Sequence, residues 1–296
     1  MTFSILEAAT PILLAGLGGL LTERAGVLNI ALEGMVLTGA FWAVVAVSAT
    51  GSAVFGIAAG VLGGTLLGLL FVVLALGFRA NIFIVGLGIN LLSLGVNQVV
   101  STWIFGTSGV IQLGSDFRLL GTTAGQTAGL LEGALLRHSP VTYLAWLLVP
   151  AIALFLRRHR LGLRIRVAGS APELLESRGI SVDGPRSFAL ILSGALSGLA
   201  GAGIALRLGA YLPGVSGGRG WIALVVIFLG YRRPVGVFVA TVFFALAEAL
   251  AIRAQGLAAA SPTLLLSLPY LLVFGGLILY AVLRRIALGN QGDGAA

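Results

Sequence analysis

The sequence predicts an all-α polytopic membrane protein, and three observations lead to that class. Apolar residues fill 58% of 296 positions and charged residues only 9%, where a soluble domain carries about 25% charged residues. Several apolar runs are long enough to cross a bilayer, which takes about 17–25 residues. They are Phe3–Leu21, Ala53–Phe78, Ile82–Phe105, Phe188–Leu206, Val235–Ile252 and Leu264–Leu283. The alternating apolar and polar pattern of a membrane β-barrel is absent.

The first run reads as a span rather than a signal peptide. It has no basic leader, carries Glu7 near its start and ends without a small-residue cleavage site. The chain has no cysteine, which excludes disulfides, thiolate metal sites and cysteine nucleophiles. All 18 basic residues are arginine. The net charge of +8 does not point to nucleic acid, because the arginines fall in short connections between spans.

The densest polar stretch, Arg157 to Arg186 with seven arginines, is expected on the cytoplasmic side. Counting outward from it gives about nine segments: 3–21, 27–48, 53–78, 82–105, 141–156, 187–206, 208–230, 235–253 and 264–283. The N-terminus is then outside and the C-terminus inside, just past Arg284 and Arg285. Inside connections hold thirteen arginines and outside ones hold five: Arg118, Arg137, Arg207, Arg219 and Arg253. The chain reads as one transmembrane domain, 1–296. A first half (about 1–105), a connecting span (141–156), a cytoplasmic loop (157–186) and a second half (187–284) follow in order. The 106–140 stretch is the long external connection.

On this count segments one to four and six to nine run in opposite senses, the inverted-repeat plan of many transporters. The second segment of each half also looks broken. One break is Gly26-Val27-Leu28-Asn29-Ile30-Ala31-Leu32-Glu33-Gly34 and the other is Gly214-Val215-Ser216-Gly217-Gly218-Arg219-Gly220. After the second, Trp221–Gly230 would rise only ~15 Å as a helix, half a bilayer. Irregular backbone at that depth is tolerated only inside protein or along a water-filled cavity.

Individual residues then fall into groups. Gly56, Gly60, Gly64 and Gly68 repeat every four residues and read as a packing ridge, with Gly194, Gly198 and Ala202 as a shorter one. Asn90, Ser93, Asn97 and Ser101 share one helical face, which must turn inward because an unpartnered amide in lipid is costly. Glu33, Arg219 and Glu248 are the charges expected at membrane depth, where ionisable residues are functional candidates. The candidate pathway residues are therefore Asn29, Glu33, Asn90, Asn97 and Arg219, with Glu33 and Arg219 expected to pair across the two breaks. A short helix is expected from Pro172 to Arg178, opened by proline and closed by Gly179. His138 and His159 are the only histidines and lack metal-ligand spacing, and no Gly-x-x-x-x-Gly-Lys-Ser/Thr phosphate loop is present. No metal site, cofactor or enzymatic activity is expected on this chain.

Three stretches resemble one permease family. Gly18-Gly19-Leu20-Leu21-Thr22-Glu23-Arg24-Ala25-Gly26-Val27-Leu28-Asn29-Ile30-Ala31-Leu32-Glu33-Gly34-Met35 is similar to the signature of nucleoside and simple-sugar ABC permeases, relatives of the ribose and branched-chain amino-acid permeases. Gly162 to Gly169, then Pro172 to Ile180, resembles that family's cytoplasmic loop, although Arg164-Ile165-Arg166-Val167 stands where the family usually has Arg-Ala, and Leu174, Leu175 and Glu176 where it has several small residues. Ser193 to Ala202 is similar to the helix that follows. The resemblance implies a type II ABC importer fold in a bacterial or archaeal cytoplasmic membrane. It implies partners: two ATPase subunits, a second permease and an extracytoplasmic binding protein, with ATP and Mg on the ATPase. It implies that Gly162, Arg164, Gly169, Pro172, Glu173, Glu176, Arg178 and Gly179 belong to the ATPase-coupling loop. The competing reading is an ion-coupled secondary transporter of a small polar solute.

Overall fold

The computed structural model describes residues 2–114 and 139–255, together with Gly275. Six helices are long and apolar enough to cross a membrane among these residues. They are α1 (Thr2–Arg24), α2 (Leu32–Thr50), α3 (Ala53–Phe71, prolonged by a π-helical turn Val72–Gly77), α4 (Ile82–Phe105), α5 (Pro140–Arg158) and, after two short helices, α8 (Asp183–Leu208). The short helices are α6 (Arg160–Ser170) and α7 (Pro172–Glu176). Beyond α8 come α9 (Arg219–Leu229) and α10 (Pro234–Gln255). Apart from Gly275, the ninth expected segment, 264–283, lies outside the described residues, as do Arg118, Arg137, Arg284 and Arg285.

Local chemistry sets the boundaries. α1 closes with Gly26 at φ 80°, the Gly26 N–H donating to Glu23 O and the Val27 N–H to Thr22 O. A left-handed glycine there lets the last carbonyls find donors before the chain turns back. Asn81 opens α4 by accepting from the backbone N–H groups of Phe83 and Ile84, and Ser139 with Pro140 opens α5. A two-residue antiparallel ribbon joins β1 (Ile111–Gln112) to β2 (Ala210–Tyr211), with Ile111 opposite Tyr211. It ties the stretch that follows α4 to the end of α8.

α1, α2 and α8 form the centre, with Leu14, Leu17, Leu20, Leu32, Phe41 and Ala200 fully buried. α3 and α4 turn large apolar side chains outward, including Leu66, Leu91 and Trp103, the last 89% exposed. Outward faces of this kind need lipid or another subunit to cover them. The glycine ridge of α3 packs on α8. A Cβ placed on Gly64 would lie 2.2 Å from Gly194 O, and one on Gly39 of α2 would lie 2.3 Å from Gly198 O. Backbones of three helices therefore touch directly.

The charges sort to two ends of the bundle. At one end Arg79 pairs with Asp183 at 2.9 Å and Arg232 with Glu23 at 3.0 Å. At the other, Glu7 accepts from the Ser139 N–H at 3.1 Å and lies 3.7 Å from Arg207. Arg219, counted above with the outer connections and also among the charges expected at membrane depth, is half-buried at the start of α9 and pairs with Glu248. Its helix begins only after an irregular stretch has carried the chain inward.

Candidate functional site

The two interrupted segments meet. Glu33, in the first turn of α2, receives the N-terminal end of α9: Oε2 accepts from Gly220 N–H at 2.8 Å, and Oε1 from Gly218 N–H at 3.2 Å and from the Ser216 hydroxyl. The approach is so close that a Cβ on Gly220 would lie 2.4 Å from Glu33 N. Gly214, Gly217 and Gly218 all have positive φ, which folds the chain back into the start of α9. Both helices point their positive dipole ends at this carboxylate, and orphan N–H groups there favour an anion.

The meeting point lies deep. Asn29 binds Ser193, ten residues into α8, and Gly34 binds Asn90, eight residues into α4. At 1.5 Å per residue both contacts sit roughly 12–15 Å from those helix starts. Both lie well inside helices long and apolar enough to cross a membrane.

Glu33 and Arg219 do not pair with each other. The Arg219 guanidinium donates to Glu248 Oε1 at 3.2 Å and to Ser216 O at 3.1 Å. The physical reason is reach. The helix N-terminus itself presents donors to Glu33, while the arginine extends sideways to α10. Glu248 thus joins the site, and Ser216 does so as well, although nothing in the sequence singled out that serine.

The asparagines serve the same breaks. Asn29, fully buried, accepts from Ala31 N–H at 3.0 Å and donates to Ser193 Oγ at 2.9 Å. Asn90 accepts from Gly34 N–H at 2.7 Å and donates to Ile30 O at 3.0 Å. It therefore satisfies backbone groups that the missing helical turn leaves open. Asn97 faces Thr38 at 3.5 Å, and Ser101 donates to Thr107 O at 2.6 Å. The polar face of α4 is turned onto α2 rather than outward. A cavity of about 360 Å³ opens between α2, α3 and α4, lined by Thr38, Trp42, Gly63, Leu66, Ser93 and Asn97 among others.

The candidates of the 157–186 stretch divide in two. Arg164, Glu173, Glu176, Arg178 and Gly179 are exposed, and Pro172 is half-buried at the start of α7. Gly179 has φ 69° just past the short helix. Leu175 anchors this helix in a small core with Ala168 and Val182, and Leu174 stays exposed. Gly162 is buried, and Gly169, although exposed, abuts the end of α1; added Cβ atoms would lie 2.1 Å from Phe155 O and 2.3 Å from Arg24 O respectively. The expected loop over 160–170 is a helix. Its signal lies in Gly162, Ile165 and Ala168, spaced by three and all buried. Among the described residues no cluster of three or more histidine or acidic side chains is placed to hold a metal ion.

Comparison with known proteins agrees with this architecture. The family model described as branched-chain amino acid transport system / permease component matches residues 1–283. A provisionally named glucose ABC transporter permease of Haloferax volcanii is 36% identical over 86% of this chain and 77% of its own length. A guanosine ABC transporter permease of Bacillus subtilis is 29% identical over 82% of this chain and 79% of its own. A nucleoside ABC transporter permease of Lactococcus lactis subsp. cremoris is 26% identical over 98% and 94% respectively. No solved structure matches. With two interrupted segments meeting inside a bundle of apolar helices and a family match along nearly its whole length, the chain belongs to the permease components of ABC transport systems of the branched-chain amino acid type.

Proposed function

We propose that this protein is the membrane permease of an importer that takes up nucleosides or simple sugars, driven by ATP hydrolysed on separate subunits. The meeting of the two breaks at Glu33 supports this reading most directly. Unwound backbone and helix N-termini at mid-depth are how transporters offer polar contacts to a solute inside a bilayer. The relatives named for glucose, guanosine and nucleosides support the substrate classes. The chain does no chemistry, and ATP and Mg belong to the ATPase partner. A second permease subunit would complete the pathway and an extracytoplasmic binding protein would deliver the solute. Asn29, Glu33, Asn90, Asn97 and Arg219 build the pathway or its supports. The exposed faces of α6 and α7, with Arg164, Glu173, Glu176 and Arg178, are the surface offered to the ATPase.

The test is uptake by the reconstituted complex in proteoliposomes with its ATPase and binding protein. Radiolabelled guanosine or glucose should accumulate only with ATP. Accumulation that follows an imposed ion gradient without ATP would sink the proposal in favour of ion coupling. Orientation has its own check. The end of the bundle with Arg24, Arg79 and α6–α7 is cytoplasmic on the arginine distribution. Because the chain has no cysteine, Ser170→Cys is a clean reporter. It should label with an impermeant thiol reagent only after the cells are opened. Labelling in intact cells would reverse the topology.

A further inference from the structure

Arg186 lies in the first turn of α8, where a cation works against the helix's own dipole. Its guanidinium explains the placement by serving other helices. Nε donates to Ala25 O at 3.2 Å, beyond the end of α1, and Nη2 to Ala168 O at 3.4 Å, in the last turn of α6. Both carbonyls lie at helix C-termini, where intrahelical donors run out and a cation is favoured. Around this bridge the two backbones touch. A Cβ on Gly169 would lie 2.3 Å from Arg24 O and 2.8 Å from Gly26 N. From Ala25 the chain runs unwound to Asn29, which is fastened to Ser193, and on to Glu33, which receives the start of α9.

We infer that Arg186 is a positioning residue for coupling. It fastens the ATPase-facing α6–α7 unit to the unwound segment 25–31, so that displacement of α6 moves Glu33 relative to the N-terminus of α9. The inference rests on the proposed docking of an ATPase at α6–α7. Arg186 and Ser193 both belong to α8, so α8 holds the segment at Ala25 and at Asn29, and α6 meets it through Ala168 at the first of these anchors. A planar fork spans two carbonyls of different helices, and a lysine ammonium, a compact point charge whose three donors diverge from one nitrogen, holds the charge without that geometry.

The experiment uses the complete complex in proteoliposomes, with whichever of radiolabelled guanosine and glucose the unaltered complex takes up. Three quantities are read: ATPase retained on purification, ATP hydrolysed, and solute taken up per ATP. Arg186→Gln is expected to retain the ATPase and its hydrolysis while uptake per ATP falls about tenfold. Arg186→Lys is expected to retain assembly and to show the same loss of uptake per ATP. An unchanged uptake per ATP in either assembled variant overturns the proposal. Failure of both variants to assemble overturns it too, marking Arg186 as a residue of folding alone. An unaltered complex that retains no ATPase would sink the docking reading itself, and is distinguishable because Arg186 is then intact.

Discussion

Replacing Gly64 with leucine is expected to abolish recovery of monodisperse, folded protein. The Cβ alone would lie 2.2 Å from Gly194 O and 2.7 Å from Gly198 Cα, and both obstacles are backbone. A flexible side chain could rotate away from such a contact, but a helix backbone moves only as a unit. Overpacking costs about 1–3 kcal/mol where side chains can adjust, and more where they cannot. The contact also joins α3 to the central helix α8, so forcing it apart loosens α2 through the Gly39–Gly198 approach. Size-exclusion profiles and thermal unfolding in detergent measure the effect. Gly184→Ala is the control on α8, since nothing lies within 4 Å of a Cβ there. If Gly64→Leu and Gly184→Ala give equal yields and equal unfolding temperatures, the close backbone packing of α3 on α8 is wrong.

Glu33→Gln is expected to reduce both stability and transport, through loss of the anion between two helix N-termini. The glutamine keeps one carbonyl oxygen but turns an NH₂ group toward backbone donors at Gly218 or Gly220. Charge-assisted hydrogen bonds contribute about 1.5–3 kcal/mol each, and a buried donor left unsatisfied costs about 1–3 kcal/mol. Double-mutant cycles with thermal stability as readout locate the partner. Glu33→Gln with Ser216→Ala should show strong coupling, and Arg219→Gln with Glu248→Gln should couple as the second pair. Glu33 with Arg219 should couple less than either, because they share only the Ser216 turn. If Glu33 and Arg219 instead prove the most strongly coupled of the three pairs, the assignment is overturned.

The partner of Glu33 shows where sequence reading stops. Two opposite charges at corresponding breaks invited a direct pair, yet the carboxylate binds backbone N–H groups of α9 and the arginine binds Glu248. Backbone donors are invisible in a sequence, because every residue but proline has one and only the fold decides which are left unpaired. The same limit applies to Asn90. Its inward direction followed from the cost of an amide in lipid, but its use on Gly34 N–H and Ile30 O depended on where α2 begins. The helix α6 was legible in retrospect from its buried threefold spacing, and was masked by its many arginines.

The sequence by itself determined the class, the apolar segments, the two breaks and the family signature. Those properties depend on the length of apolar runs against a bilayer of fixed thickness, and on glycine and asparagine at positions no regular helix favours. The glycine ridge belongs with them, since a repeat of four faces one neighbour whichever neighbour that is. Tertiary structure alone decided that the neighbour is α8, that the breaks meet at Glu33, and that Arg186 bridges α1 and α6. Each of these contacts joins separate elements of the chain. Their energies arise from pairing particular donors with particular acceptors, and no local pattern records which distant partner the folded chain brings within reach.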